Sequence, residues 1–124
     1  GGEVIVVCPK GVPERDVRAV RNAGGRVLRL PARGGAVRAG DCLAALGAEG
    51  VTSLLVEGGG RVAGWLAAEG AVDRYVLFVA PLLLGEGILA VSGWASRSPA
   101  AGPRLAFTSV RRVGPDIEIT AEVR

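Results

Sequence analysis

The sequence predicts an α/β domain whose mixed sheet is mostly parallel and closes in antiparallel strands, as a single domain over residues 1–124. Three observations carry that prediction. A strand pattern followed by a helix pattern recurs three times before residue 71, the rhythm of right-handed parallel crossovers. The first strand, Val4-Ile5-Val6-Val7, is short, β-branched and continuously apolar, which suits a sheet covered on both faces. Beyond residue 73 the rhythm stops, and Ile117-Glu118-Ile119-Thr120-Ala121-Glu122-Val123 alternates apolar with polar as an edge hairpin strand would.

Each element has its own signals. Glu3 to Cys8 reads as the first strand. The helix after it runs from Val12 to Gly24, with Pro13 in the first turn, Glu14 and Asp16 early, Val17, Val20 and Ala23 on one stripe, and Gly24 at the stop. Arg26 to Leu30 is the second strand, ended by Pro31. Ala32 to Gly40 reads as a loop, and Asp41 as the N-cap of a helix through Ala48 that Gly50 closes. Thr52 to Val56 is the third strand, and Arg61 to Glu69 the third helix, closed by Gly70. Asp73 to Pro81 is the fourth strand, and Leu82 to Pro103, rich in Gly, Ser, Ala and Pro, is a loop long enough to raise a functional role. Leu105 to Val113 and Asp116 to Val123 are two strands joined through Gly114-Pro115. There is no internal repeat.

Composition excludes several function classes. A 49% share of hydrophobic residues supplies ample material for the core of a compact, soluble domain. No run of about 18 charge-free apolar residues exists, and Gly1-Gly2-Glu3 lacks the flank of a signal peptide, so a cytoplasmic location without membrane contact is the expectation. The net charge of +3 is spread along the chain, and aromatics are only 4%, which argues against nucleic acid as a partner. All basic residues but Lys10 are arginine, a usage that fits either GC-rich codons or a thermophile. Cys8 and Cys42 form neither a disulfide framework nor a metal pattern and read as buried thiols. With no histidine in the chain, imidazole bases, Ser-His-Asp triads and His-ligated zinc are excluded, and no metal is expected.

The chemistry concentrates where the third strand hands over to the third helix. Glu57 ends the strand, and Gly58-Gly59-Gly60-Arg61-Val62-Ala63-Gly64-Trp65 opens the helix. Unpaired N–H groups at a helix start carry partial positive charge, and residues without side chains let a phosphate approach them. Ligands of α/β folds collect beyond the carboxyl ends of strands, which favours a functional Glu57 over one solvated or paired with an arginine. Arg61 either meets a phosphate or faces solvent. Trp65, at helical spacing from Val62 and Leu66, reads as core or interface. Pro81 and Gly85-Glu86-Gly87 form either a second wall of the same cleft or an ordinary surface turn, and Lys10 reads as solvated.

Gly50-Val51-Thr52-Ser53-Leu54-Leu55-Val56-Glu57-Gly58-Gly59, then Ala71-Val72-Asp73-Arg74-Tyr75, then Ala80-Pro81-Leu82-Leu83-Leu84-Gly85, resembles the reductase domain of the bifunctional riboflavin-biosynthesis deaminase-reductases. The resemblance covers essentially the whole chain, and the chain the later half of such a domain. It implies a three-layer αβα fold similar to dihydrofolate reductase. It also implies reduction of 5-amino-6-(5-phosphoribosylamino)uracil to the ribitylamino product with NADPH, in an enzyme that is commonly a homodimer. Glu57 then resembles the substrate-contacting, catalytic glutamate, and Gly58 through Trp65 resemble the NADPH-contacting stretch, with Gly59, Gly60 and Arg61 nearest the phosphates. The rival readings are a dinucleotide-binding module or assembly fragment without catalysis, and another reductase of the dihydrofolate-reductase type.

Overall fold

The structure, a computed structural model, describes residues 2–124. The chain divides into two compact units, one ending at Leu55 and one running from Val56 to Arg124.

In the first unit, β1 (Ile5–Pro9) lies parallel to β2 (Arg26–Leu30), from Ile5 opposite Arg26 to Pro9 opposite Leu30. Helix α1 (Glu14–Asn22) forms the crossover between them, and its Val17 is 2% exposed. Pro13 is its N-cap, where the missing N–H costs no intrahelical bond. The expected loop after β2 contains a small hairpin, β3 (Ala32–Arg33) and β4 (Ala36–Val37), turned by Gly34 and Gly35 at φ +58° and +81°. Two successive left-handed residues make the turn whose twist matches antiparallel strands, and two glycines accept it without strain. Helix α2 (Ala39–Ala48) begins two residues before Asp41, from an extended Arg38 and without a side-chain cap, so Asp41 lies inside the first turn rather than capping it. There its charge still faces the positive end of the helix dipole.

The second unit holds α3 (Gly60–Ala68) and a three-stranded antiparallel sheet of β5 (Arg74–Val79), β6 (Leu105–Val113) and β7 (Asp116–Val123) in the order β5-β7-β6. β7 is thus the middle strand, not the edge. Its alternation reports two chemically unlike faces, which a central antiparallel strand has equally. Tyr75, Ala121 and Phe107 are cross-strand partners on one face, as are Leu77, Ile119 and Val110. The other face carries Arg74 bonded to Glu122 and Arg111 bonded to Glu118, each joining β7 to a neighbour.

The three helices close alike. Gly24, Gly50 and Gly70 follow them at φ +86°, +88° and +63°, and each N–H bonds a carbonyl of the last turn, to Arg21, Gly47 and Ala67. The next N–H reaches back further, from Gly25 to Val20, Val51 to Leu46 and Ala71 to Leu66, at 3.0–3.1 Å. This paired closure satisfies two orphan carbonyls and needs a left-handed residue, hence glycine.

The expected third strand does not form. Residues 51–59 carry no regular secondary structure, and Leu54, Leu55 and Val56 are 51%, 80% and 41% exposed. A strand exists only by pairing, and 52–56 has no ladder partner among the described residues. The strands accordingly fall into one parallel pair and two antiparallel sheets instead of one mostly parallel sheet. The buried hydrophobic set is small: Val17 and Ala39 in the first unit, Leu66 and Ala121 in the second, among the described residues. Leu82, Leu83, Leu84, Ile88 and Leu89 are exposed. Cys8 and Cys42 are free and half-buried, and burial raises the Cys42 thiol above its ordinary value.

Candidate functional site

Gly59 is the N-cap of α3, with extended backbone at φ −67° and ψ 177° and no side chain to cap the helix. Its carbonyl accepts from Val62 N–H at 2.9 Å and Ala63 N–H at 3.2 Å. No acidic residue stands in the first turn to neutralise the helix dipole. A methyl group placed on Gly59 would meet nothing within 4 Å, so its surroundings are open. Arg61, one residue into the helix, is exposed and forms no ion pair among the described residues. The arrangement is an unneutralised helix start with a free cation beside it, which suits an anionic group.

Glu57 is exposed and likewise forms no hydrogen bond or ion pair among the described residues. Several other glutamates are paired: Glu3 and Glu49 meet Arg26, Glu14 meets Arg29, Glu118 meets Arg111 and Glu122 meets Arg74, whereas Glu86, in the exposed loop after β5, resembles Glu57 in forming no ion pair among the described residues. The alternative of Glu57 held by an arginine is therefore not realised.

The remaining glycines of the stretch are occupied by protein. A methyl on Gly58 would lie 2.8 Å from Val62 Cβ, so Val62 fills the space a side chain would take. On Gly60 it would lie 2.2 Å from the Leu89 carbonyl oxygen, and on Gly64 1.9 Å from that of Ser92. Ser92 N–H also donates to the Gly60 carbonyl at 2.9 Å. Val62 is 39% exposed, Ala63 and Trp65 are half-buried, Gly64 is buried and Leu66 is 4% exposed. The face of α3 carrying Gly60 and Gly64 thus receives the chain's own backbone, while Gly59 and Arg61 stay accessible. Leu89 and Ser92 were not legible as partners of this helix, although glycines four apart on one helix face signal a close backbone approach. Pro81 and Gly85 to Gly87 are exposed, and the contact with α3 comes from residues farther along the same loop.

No helix among the described residues is long and apolar enough to cross a membrane. No group of three or more metal-ligating side chains could hold a metal ion among them.

Residues 1–119 match the family of the RibD C-terminal domain. Over 84 residues the chain is 38% identical to the riboflavin biosynthesis protein RibD of Bacillus amyloliquefaciens, covering 65% of this chain and 22% of that protein. Over 95 residues it is 33% identical to RibD of Escherichia coli K12, covering 74% of this chain and 25% of that protein. The chain therefore spans about a quarter of the length of these relatives. Among solved structures, RibD of Acinetobacter baumannii superposes with a TM-score of 0.74 at 20% identity, over 98% of this chain and 31% of that one. A pyrimidine reductase-like protein from Corynebacterium diphtheriae gives 0.67 at 22% identity, over 98% of this chain and 49% of that one. At those identities the likeness is one of fold: the expected α/β fold of the dihydrofolate-reductase type, present in part.

Proposed function

Because this chain belongs to the RibD C-terminal domain family, we propose that it is the later part of an NADPH-dependent reductase of riboflavin biosynthesis. The substrate of this reading is 5-amino-6-(5-phosphoribosylamino)uracil and the product its ribitylamino counterpart, in a cytoplasmic homodimer. The observation that carries the site is the unpaired Glu57 carboxylate, two residues before the open, uncapped start of α3.

The residues fit a dinucleotide phosphate on one side of the helix start. Gly59 leaves room for it, the free N–H groups of the first turn would donate to it, and Arg61 would add a charge-assisted contact. Gly60 and Gly64 support the same site from behind, because their open faces are taken by Leu89 and Ser92. Glu57 would accept a hydrogen bond from a hydroxyl or amine of the substrate and fix the orientation of the carbon to be reduced. Such orientation lowers a barrier by several kcal/mol, on the order of what positioned neighbouring groups achieve. A bound reduced nicotinamide supplies the hydride. The chain has no histidine, and the reaction asks little acid-base chemistry of it.

Titration of the chain with NADPH, followed by assay of NADPH oxidation with the phosphoribosylamino substrate, tests the reading. The expected outcome for Glu57→Gln is unchanged NADPH affinity with turnover reduced about a hundredfold, the scale of lost positioning. Wild-type turnover in that variant would remove Glu57 from the mechanism. The chain's short span of its relatives supports a second reading, a dinucleotide-binding module that works with further protein; saturable NADPH binding without any turnover would favour it.

A further inference from the structure

We propose that Gly60 and Gly64 are positioning residues that seat the backbone of Leu89–Ser92 on α3, and that the seated segment is one wall of the dinucleotide site. This rests on the reading above and adds to it a role for the side-chain faces of Gly60 and Gly64, which meet protein. The two glycines lie four apart and so share one face of the helix. Any side chain there would overlap main chain: a methyl would be 2.2 Å from Leu89 O on Gly60 and 1.9 Å from Ser92 O on Gly64. Backbone atoms cannot swing aside as the end of a flexible side chain can. A glycine inside a helix is less favourable than alanine, but at Gly64 alanine is barred, because its methyl would fall on the Ser92 carbonyl. The Ser92 N–H bond to the Gly60 carbonyl, 2.9 Å long, fixes the register.

The segment therefore meets the first turn of α3 at Gly60, between Gly59 and Arg61, the two residues whose other sides stay open. Residues 82–103 have no helix or strand of their own, and this seat is where they acquire a defined position beside the helix start. Order in the segment and occupancy of the site are then linked: a ligand that uses the wall favours the seated state, and an unseated segment weakens the ligand.

The test uses the whole chain with two readouts, NADPH affinity by fluorescence titration and exchange of the Ser92 amide by NMR. In the wild type the Ser92 amide is protected, and saturating NADPH slows its exchange further. Gly64→Ala abolishes that protection and weakens NADPH binding about tenfold or more, the scale of an overpacking cost, while the amides of β7 keep their protection. Ser92→Pro changes no residue of α3; it removes the amide donor to Gly60 and stiffens the backbone at 91–92, and it weakens NADPH binding in the same direction. Two folded variants that bind NADPH as the wild type does would overturn this inference alone, as would a Ser92 amide that exchanges like one in free solution. A wild-type chain that takes up no NADPH would overturn the reading of the site, and the wall with it.

Discussion

Alanine at Gly50 and alanine at Gly47, three residues apart, should move stability in opposite directions. Gly50 closes α2 at φ +88°, and a methyl there would meet no atom within 4 Å, so the cost of Gly50→Ala is confined to the backbone. An L-residue in the left-handed region costs about 1–2 kcal/mol, and the less flexible unfolded chain returns about 0.4–1 kcal/mol of it. The net expectation is a loss of about 1 kcal/mol. Gly47 lies inside α2 with helical backbone and equally open surroundings, so Gly47→Ala should gain about 0.5–1 kcal/mol from helix propensity. Urea denaturation followed by circular dichroism at 222 nm measures both. Gly24→Ala, at φ +86° and equally open, should match Gly50→Ala, and the pair should add. A Gly50→Ala protein as stable as the wild type would refute the left-handed closure of α2.

Two further perturbations follow from the same structure. Val17 is 2% exposed on α1, and Val17→Ala removes its buried methyl groups; a loss of about 2 kcal/mol in denaturant titration is expected, and a loss below about 0.5 kcal/mol would show that α1 is not packed. Arg111 hydrogen-bonds Glu118 and holds its carboxyl below the ordinary carboxylate range, so Glu118 binds its proton less readily folded than unfolded. The stability this confers is fully present above the unfolded value of about 4.3 and lost as pH falls through the lower folded one. Acid denaturation of the wild type and Glu118→Gln should therefore converge in that window, and a constant difference from pH 7 to pH 2 would refute the pairing.

Much of the fold was legible because its signals are local. Pro13, Glu14 and Gly24 bracket α1, and the spans expected for the last two strands coincide with β6 and β7, where Gly114-Pro115 separates two apolar-rich runs. The hairpin at Ala32–Val37 also has a signal, the Gly34-Gly35 pair between short runs, but two-residue strands carry almost no periodicity to set them apart from loop. What local sequence cannot state is pairing. Thr52–Val56 has strand composition, but strand formation depends on a neighbour's N–H and C=O groups. The site divides the same way. A helix start with glycines before it could be read from Glu57 to Arg61, whereas the partner of Gly60 and Gly64 lies nearly thirty residues downstream and is joined through backbone atoms that leave no mark in residue type.

The position of β7 bears on how the second unit comes into being. Both β5 and β6 bond only to β7 within their sheet, and β7 follows them in the chain. During synthesis the two earlier strands emerge with nothing to bond, their edges unpaired and open to association, until the middle strand arrives. The β6–β7 hairpin closes locally through Gly114-Pro115, but pairing β5 with β7 must close the long connection between them and wait for β7, so completion of this sheet is late and slower than helix formation in α3. For a chain made residue by residue, that interval is when aggregation competes with folding.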